Sequence, residues 1–349
     1  MRCDLRQAPI NANHWYVVAL SAEVTERKIL SVCLWNQAIA LYRNAEGTLH
    51  AVEDRCPHRH VRLSHGRIRS GLLECAYHGW QFDGAGDCVS IADSATCQPP
   101  PKCRLRRFPV RDLHGFIWLF AGQRAESRSV APMGLPEWEQ LDQVCSVAAF
   151  EVRAHFSFLI DNLMDMHHGH LHAEHQVWSH AQLQDLNASP QSVSAMYRTN
   201  AYLRVRGFWD LLPVVFPSLR RARPEDLRVN YHYPHWRSTL GGDFTICCLI
   251  CPVSATHTRA YLIHFTSLKA FRSLSDMPDP FRRWVRSRCF NSSRSLLEGL
   301  IVQDRMMIEE EQQAYAADPS RRGIETNPTL QQVHRLIERQ ACHQEPSIA

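Results

Sequence analysis

The chain has 349 residues, enough for two domains at about 150 residues each, and its 45% hydrophobic and 21% charged composition excludes a disordered, collagen-like or disulfide-stapled small protein. A net charge of +4 is too small to hold nucleic acid by bulk electrostatics, so arginine-rich stretches such as 104–111 and 282–288 read as solvated faces. The unusual counts are 20 His and 13 Cys, which are borderline and soft metal ligands, and they make a metal site the first function class to test.

Residues 1–10 are polar and charged with no apolar core, so no signal peptide is expected. No apolar run reaches the roughly 18 residues that span a membrane, and stretches 115–122 and 246–253 read as buried strands. A cytoplasmic protein is the expectation, with its odd number of cysteines serving as thiols or ligands. Short β-like runs at 15–20, 33–42, 72–76 and 116–121 are separated by turn signals at 44–47 and 83–86. A strand-like 108–110 follows the triple proline at 99–101. The polar stretch 123–129, followed by Pro132 and Pro136, marks a boundary between an all-β domain over 1–125 and a second domain over 126–349. In the second, a helix is expected from about 156 to 178, strands at 202–208 and 244–265, and a long helix from Pro280 to about 316. That pattern describes an α+β domain with a sheet between helices.

Two loops each offer one thiolate and one imidazole. Cys56-Pro57-His58 is followed, after 16 intervening residues, by Cys75-Ala76-Tyr77-His78-Gly79-Trp80. A set of two Cys and two His can hold a tetrahedral zinc or a Rieske 2Fe-2S centre. A classical zinc finger keeps its two Cys at one end and its two His at the other, whereas in a Rieske centre one iron takes both thiolates and the other both imidazoles, so mixed loops fit.

Five histidines crowd residues 165–175. On a helix at about 100° per residue, Asn162, Asp165, His168 and His172 share an arc of roughly 120°. His168 and His172, at i and i+4, can bind one metal; His175 lies close enough to that face to compete. Fe(II) that must also bind O2 favours two His and one carboxylate with open positions. Asp304 is an acidic residue in line with the apolar stripe of Leu297, Leu300, Ile301 and Ile308, and coordination would relieve the cost of burying it. An internal salt bridge to an arginine would do the same.

The Cys-x-His and Cys-x-x-His-Gly-Trp loops, continued by Gln81-Phe82-Asp83-Gly84-Ala85-Gly86, resemble the Rieske motif of the Rieske non-haem iron oxygenases, in the branch of vanillate demethylase and phthalate oxygenase. One departure is His60, where that family often has Gly. Asn162-Leu163-Met164-Asp165 with His168 resembles the same family's Asn-x-x-Asp-x-x-His motif, and Gln303-Asp304 its late acidic helix. The three residues between His168 and His172 are one fewer than the family often has, and pairing His167 with His172 would restore the longer gap.

The resemblance implies an all-β Rieske domain and a helix-grip α+β catalytic domain with an antiparallel sheet. It implies a 2Fe-2S cluster on Cys56, His58, Cys75 and His78, and a mononuclear Fe(II) on His168, His172 and Asp304. It further implies that Asp165 bridges to His78 of a neighbouring subunit in a homotrimer, and that Asn162 stands beside the iron. The expected activity is that of a terminal oxygenase, using O2 and electrons from a separate NAD(P)H-dependent reductase, with or without a ferredoxin, to hydroxylate or demethylate an aromatic or other apolar small molecule.

No flavin, dinucleotide or plant-type ferredoxin pattern occurs in the chain itself. The chain also lacks His-Glu-x-x-His, Gly-x-Ser-x-Gly and paired Glu-x-x-His patterns, which removes zinc-protease, serine-hydrolase and di-iron readings. A rival is a Rieske electron carrier fused to a ligand-binding domain, in which His168 would be dispensable.

Overall fold

In the computed structural model the described residues are 4–91, 99–100, 103–172, 178–201, 223–242, 244–268, 278–321 and 323–342. The chain divides into two compact units, Asn11–Gly134, and Met1–Ile10 together with Leu135–Ala349.

The Asn11–Gly134 unit is all-β among its described residues, apart from short 3-10 turns, and is built from three small antiparallel sheets. One orders β1 (Trp15–Leu20), β10 (Phe116–Phe120) and β9 (Val110–Leu113) as β1-β10-β9. A second is the meander β2 (Leu30–Leu34), β3 (Gln37–Arg43) and β4 (Leu49–Glu53). The third runs β5 (Arg67–Arg69), β6 (Leu72–Glu74), β7 (Gln81–Phe82) and β8 (Cys88–Ser90). The β-like run 33–42 is not one strand: Trp35 and Asn36 both take positive φ, 48° and 64°, and turn the chain into a hairpin whose twist such a turn matches. Cys56 and Cys75 belong to the buried cluster of Leu63, Leu73 and Phe82, so both candidate thiol loops are anchored by their cysteines in the core.

The other unit is α+β. Its seven-stranded antiparallel sheet is ordered β11-β17-β16-β15-β14-β13-β12. From one edge these are Gln143–Val152, His257–Ser267, Phe244–Ser254, His235–Leu240, Arg223–His232, Ser192–Ala201 and Trp178–Ala188. The expected strand at 244–265 is thus a hairpin of two. A short α1 (Pro136–Glu139) precedes β11, and α2 (Phe156–Met164), α3 (Asp279–Arg288), α4 (Arg294–Ala317) and α5 (Pro328–Cys342) complete the unit. α2 packs on β14 and β16 and against α4 and α5. No helix among the described residues is long and apolar enough to cross a membrane. The expected strand at 202–208 lies outside the described residues.

Two helical expectations need correction. The single helix expected over 280–316 is broken between α3 and α4, where Asn291 takes φ +61°. β11 is an edge strand with unpaired backbone groups, and Asn291 satisfies them: its Oδ1 accepts from Val147 N–H at 2.8 Å and its own N–H donates to Cys145 C=O at 2.9 Å. The helix expected over 156–178 stops at Met164. Asp165 has φ −88° and ψ 114°, a 3-10 turn spans His167–His172, and Trp178 already begins β12.

Candidate metal centres

The two thiol-imidazole loops have the same backbone construction. Cys56 N–H donates to Val61 C=O and Cys75 N–H to Trp80 C=O, both at 2.9 Å. In return His60 N–H donates to Cys56 C=O at 2.8 Å and Gly79 N–H to Cys75 C=O at 3.1 Å. The residue four after each cysteine therefore closes a tight turn, and both take the left-handed conformation, with φ +57° at His60 and +62° at Gly79. That shared requirement is why glycine suits position 60. His60 accepts the strain and receives a hydrogen bond from Arg55 Nε on its Nδ1 at 2.9 Å.

The thiols and imidazoles separate by depth. Cys56 and Cys75 are buried, and burial, with the Cys75 thiol beside it, pushes the Cys56 thiol up to about 11. His58 and His78 lie toward the surface with ring centroids 4.5 Å apart, the His58 ring stacked on Trp80 at 4.7 Å. Beside them Tyr77 is 61% exposed, with its ring centroid 3.8 Å from that of His78. Two adjacent thiols inside and two adjacent imidazoles outside fit a dinuclear centre with one thiolate-bound and one imidazole-bound iron.

The second set gathers in the other unit. The ligand atoms of His168, His172 and Asp304 all lie within 4.8 Å of one another. Asp304 Oδ1 is 3.2 Å from His172 Nε2 and 3.8 Å from His168 Nε2. His172 Nδ1–H donates to Gln303 Oε1 at 2.9 Å; because that oxygen only accepts, the imidazole presents an Nε2 lone pair to the carboxylate. A lone pair facing a carboxylate is repulsive unless a cation lies between them, so the donor set fits a divalent metal. Protonation is the other escape. Burial pulls His172 down, but the hydrogen bond and charge of Asp304, helped by Gln303, leave it raised. His168 is lowered, chiefly by burial, and its Nδ1 is buried with no partner.

Around this set, Asn162 Nδ2 donates to Asp304 Oδ1 at 3.2 Å. Asp165 Oδ1 accepts from His167 N–H at 2.9 Å and from Asn327 Nδ2 at 3.2 Å. The Trp178 ring sits 6.2 Å from His168 and 6.3 Å from His172, held by Nε1–H donation to Met166 C=O at 3.1 Å. Of the other cluster histidines, His167 and His170 are exposed and outside the set, and His175 lies outside the described residues. Asn327 is absent from the sequence reading. It stands just before α5, a helix that reading lacks, and no local pattern links it to residue 165.

Residues 14–109 match the Rieske [2Fe-2S] domain. Over 347 residues the chain is 30% identical to 4beta-methylsterol monooxygenase of Methylococcus capsulatus, covering 96% of this chain and 89% of the relative. The chain is a Rieske non-haem iron oxygenase. It is also 36% identical over 159 residues, about 45% of either chain, to the oxygenase component of dicamba O-demethylase from Stenotrophomonas maltophilia. A crystal structure of dicamba monooxygenase with dicamba superposes at TM-score 0.73 and 21% identity, over 96% of this chain and 98% of that one. The matched domain is one that carries a [2Fe-2S] cluster, and a solved structure of dicamba monooxygenase, 21% identical to this chain, contains a non-haem iron.

Proposed function

We propose that this Rieske oxygenase is the terminal component of a multicomponent system and oxidises a methyl group on an apolar small molecule, fed with electrons by a separate NAD(P)H-dependent reductase. The observation that carries the reading is the convergence of His168, His172 and Asp304, whose ligand atoms lie within 4.8 Å of one another, with His172 Nδ1 hydrogen-bonded to Gln303 Oε1. The methyl group is suggested by the names of two relatives, a methylsterol monooxygenase and an O-demethylase.

Cys56 and Cys75 would bind one iron of the cluster and His58 and His78 the other, in a domain bounded near residue 125. When bound, the cluster supplies single electrons and the mononuclear iron a site for reducing O2. Asn162 holds the Asp304 carboxylate, Gln303 fixes the His172 tautomer, and half-buried Trp178 with buried Met166 shields one side of the set. Asp165 has one oxygen engaged by His167 N–H and Asn327, which fixes the carboxylate for contact with the partner subunit's His78 in a homotrimer. A pure electron carrier would have no use for the His-His-Asp set.

Purified anaerobically, the chain should carry about three irons, two in the cluster and one mononuclear, with a Rieske-type EPR signal. Asp304→Ala should lose the mononuclear iron and all substrate oxidation while keeping that signal; retention of all three irons would overturn the assignment. Screening methylsterols and aryl methyl ethers with a surrogate reductase tests the substrate class.

A further inference from the structure

The Asn11–Gly134 unit contains a concavity that none of this chemistry uses. It is open to solvent, has a volume of about 270 Å³ and is lined by four arginines, Arg107, Arg111, Arg124 and Arg128, together with His50 and Ser127. Trp15, Phe108 and Val110 supply apolar wall, and no acidic side chain lines it. Four other arginines of the same unit are paired with carboxylates: Arg43 with Asp112, Arg67 and Arg69 with Glu74, Arg104 with Asp87. Among the described residues none of the four lining arginines forms an ion pair with a carboxylate, and Arg111 instead lies 4.7 Å over the Trp15 ring.

All four guanidiniums are exposed at the rim of this open concavity, where solvent screens their mutual repulsion, and their convergence offers an anion several donors to grip in bidentate fashion. His50 reinforces the reading. Its ring is stacked on Tyr42 at 5.1 Å and pressed against Gly84, where a Cβ would lie 2.4 Å from His50 Cε1, so the ring is fixed in place. Its Nε2 is buried without a hydrogen-bond partner. The volume lies just below the roughly 300 Å³ at which pockets for drug-sized ligands begin, which suits a small anion.

We propose that this pocket binds a small oxyanion carrying two or more negative charges, through Arg107, Arg111, Arg124 and Arg128. A phosphate ester and a polycarboxylate share that chemistry, and the test separates them. The holoenzyme is titrated calorimetrically with pyrophosphate in one arm and citrate in the other, at ionic strength matched with potassium chloride. Saturable one-to-one binding in either arm is expected, weakened at least tenfold in the Arg124→Ala/Arg128→Ala double variant with its Rieske EPR signal unchanged. If that variant loses the signal, Arg128→Gln, with quenching of Trp fluorescence as the readout, replaces it. No saturable binding in both arms, or equal affinity in variant and wild type, overturns the proposal. Because neither readout involves the mononuclear iron or substrate, the result is independent of the function proposed above.

Discussion

At the scale of single residues, His60 and Gln303 do work that their identities do not announce. His60 occupies the left-handed position that Gly79 fills in the sister loop. Holding a non-glycine residue there costs on the order of 1 kcal/mol, which the Arg55 hydrogen bond partly offsets. Replacing it by Gly should therefore change stability by less than about 1 kcal/mol, because lost strain and lost chain entropy oppose each other. A β-branched residue has no such latitude, and His60→Val should unfold at a lower temperature than His60→Gly with a difference of about 1–2 kcal/mol. Equal melting temperatures would show that the turn is not the constraint. Gln303 is tested differently. Gln303→Leu removes the acceptor that fixes the His172 tautomer, and iron affinity measured by competition with a chelator should fall about 10–100-fold while the Rieske signal stays.

Secondary-structure elements contribute through where they end. α2 stops at Met164, so Asp165 leaves the helix in extended conformation and the 3-10 turn of His167–His172 carries the two imidazoles to Asp304. The beginning of α2 is also specific. His155 caps it, with Nδ1 accepting from Ser157 N–H at 3.3 Å and Nε2–H donating to Ala8 C=O at 3.0 Å. Burial lowers this histidine to about 4. Its folded value is below its unfolded one, so the unfolded chain takes up the proton first. The stability it contributes is present above the unfolded value of about 6.5 and drains away as pH falls toward 4. Urea unfolding should show a loss of about 2 kcal/mol from this group between about pH 7 and about pH 5, and His155→Gln should flatten that share of the slope. An unchanged slope would assign the acid sensitivity elsewhere, for example to His264, which desolvation also lowers to about 4.

On the whole-molecule scale, both ends of the chain close on α2. Arg6, from the N-terminal turn, donates to Asp161 Oδ2 at 2.6 Å and to Ser157 Oγ at 2.8 Å, while His334 of α5 reaches Asp161 Oδ1 at 2.9 Å. Burial raises the Asp161 carboxyl, but Arg6 and His334 outweigh it and hold it below its ordinary value. Removing one partner of a buried pair leaves an uncompensated charge, so Arg6→Ala should cost about 3–5 kcal/mol in unfolding free energy. Since Asp161 precedes Asn162, the same variant should retain mononuclear iron less well. Wild-type stability in Arg6→Ala would mean that the N-terminal segment is a passive tail. This clamp had no sequence signature, because it joins residues separated by 155 and 173 positions.

The sequence by itself determined which chemistry is available. Cys-x-His and Cys-x-x-His on two loops, a clustered pair of His, and one acidic residue on an apolar helical stripe already named the ligand types. Residue identity and short spacing carry that information, because loops and single helix turns are local structures. The all-β then α+β order was legible for the same reason, although strand and helix limits at Trp35–Asn36, Met164 and Asn291 were not. Those breaks depend on a hairpin turn, on the packing of α2 between sheet and helices, and on the open edge of β11. Only the tertiary structure decided that Asp304 meets Asn162 across 142 positions, that Asn327 steadies Asp165, and that four unpaired arginines share one pocket. Long-range convergence is set by how elements pack, and packing leaves no period in the sequence to read.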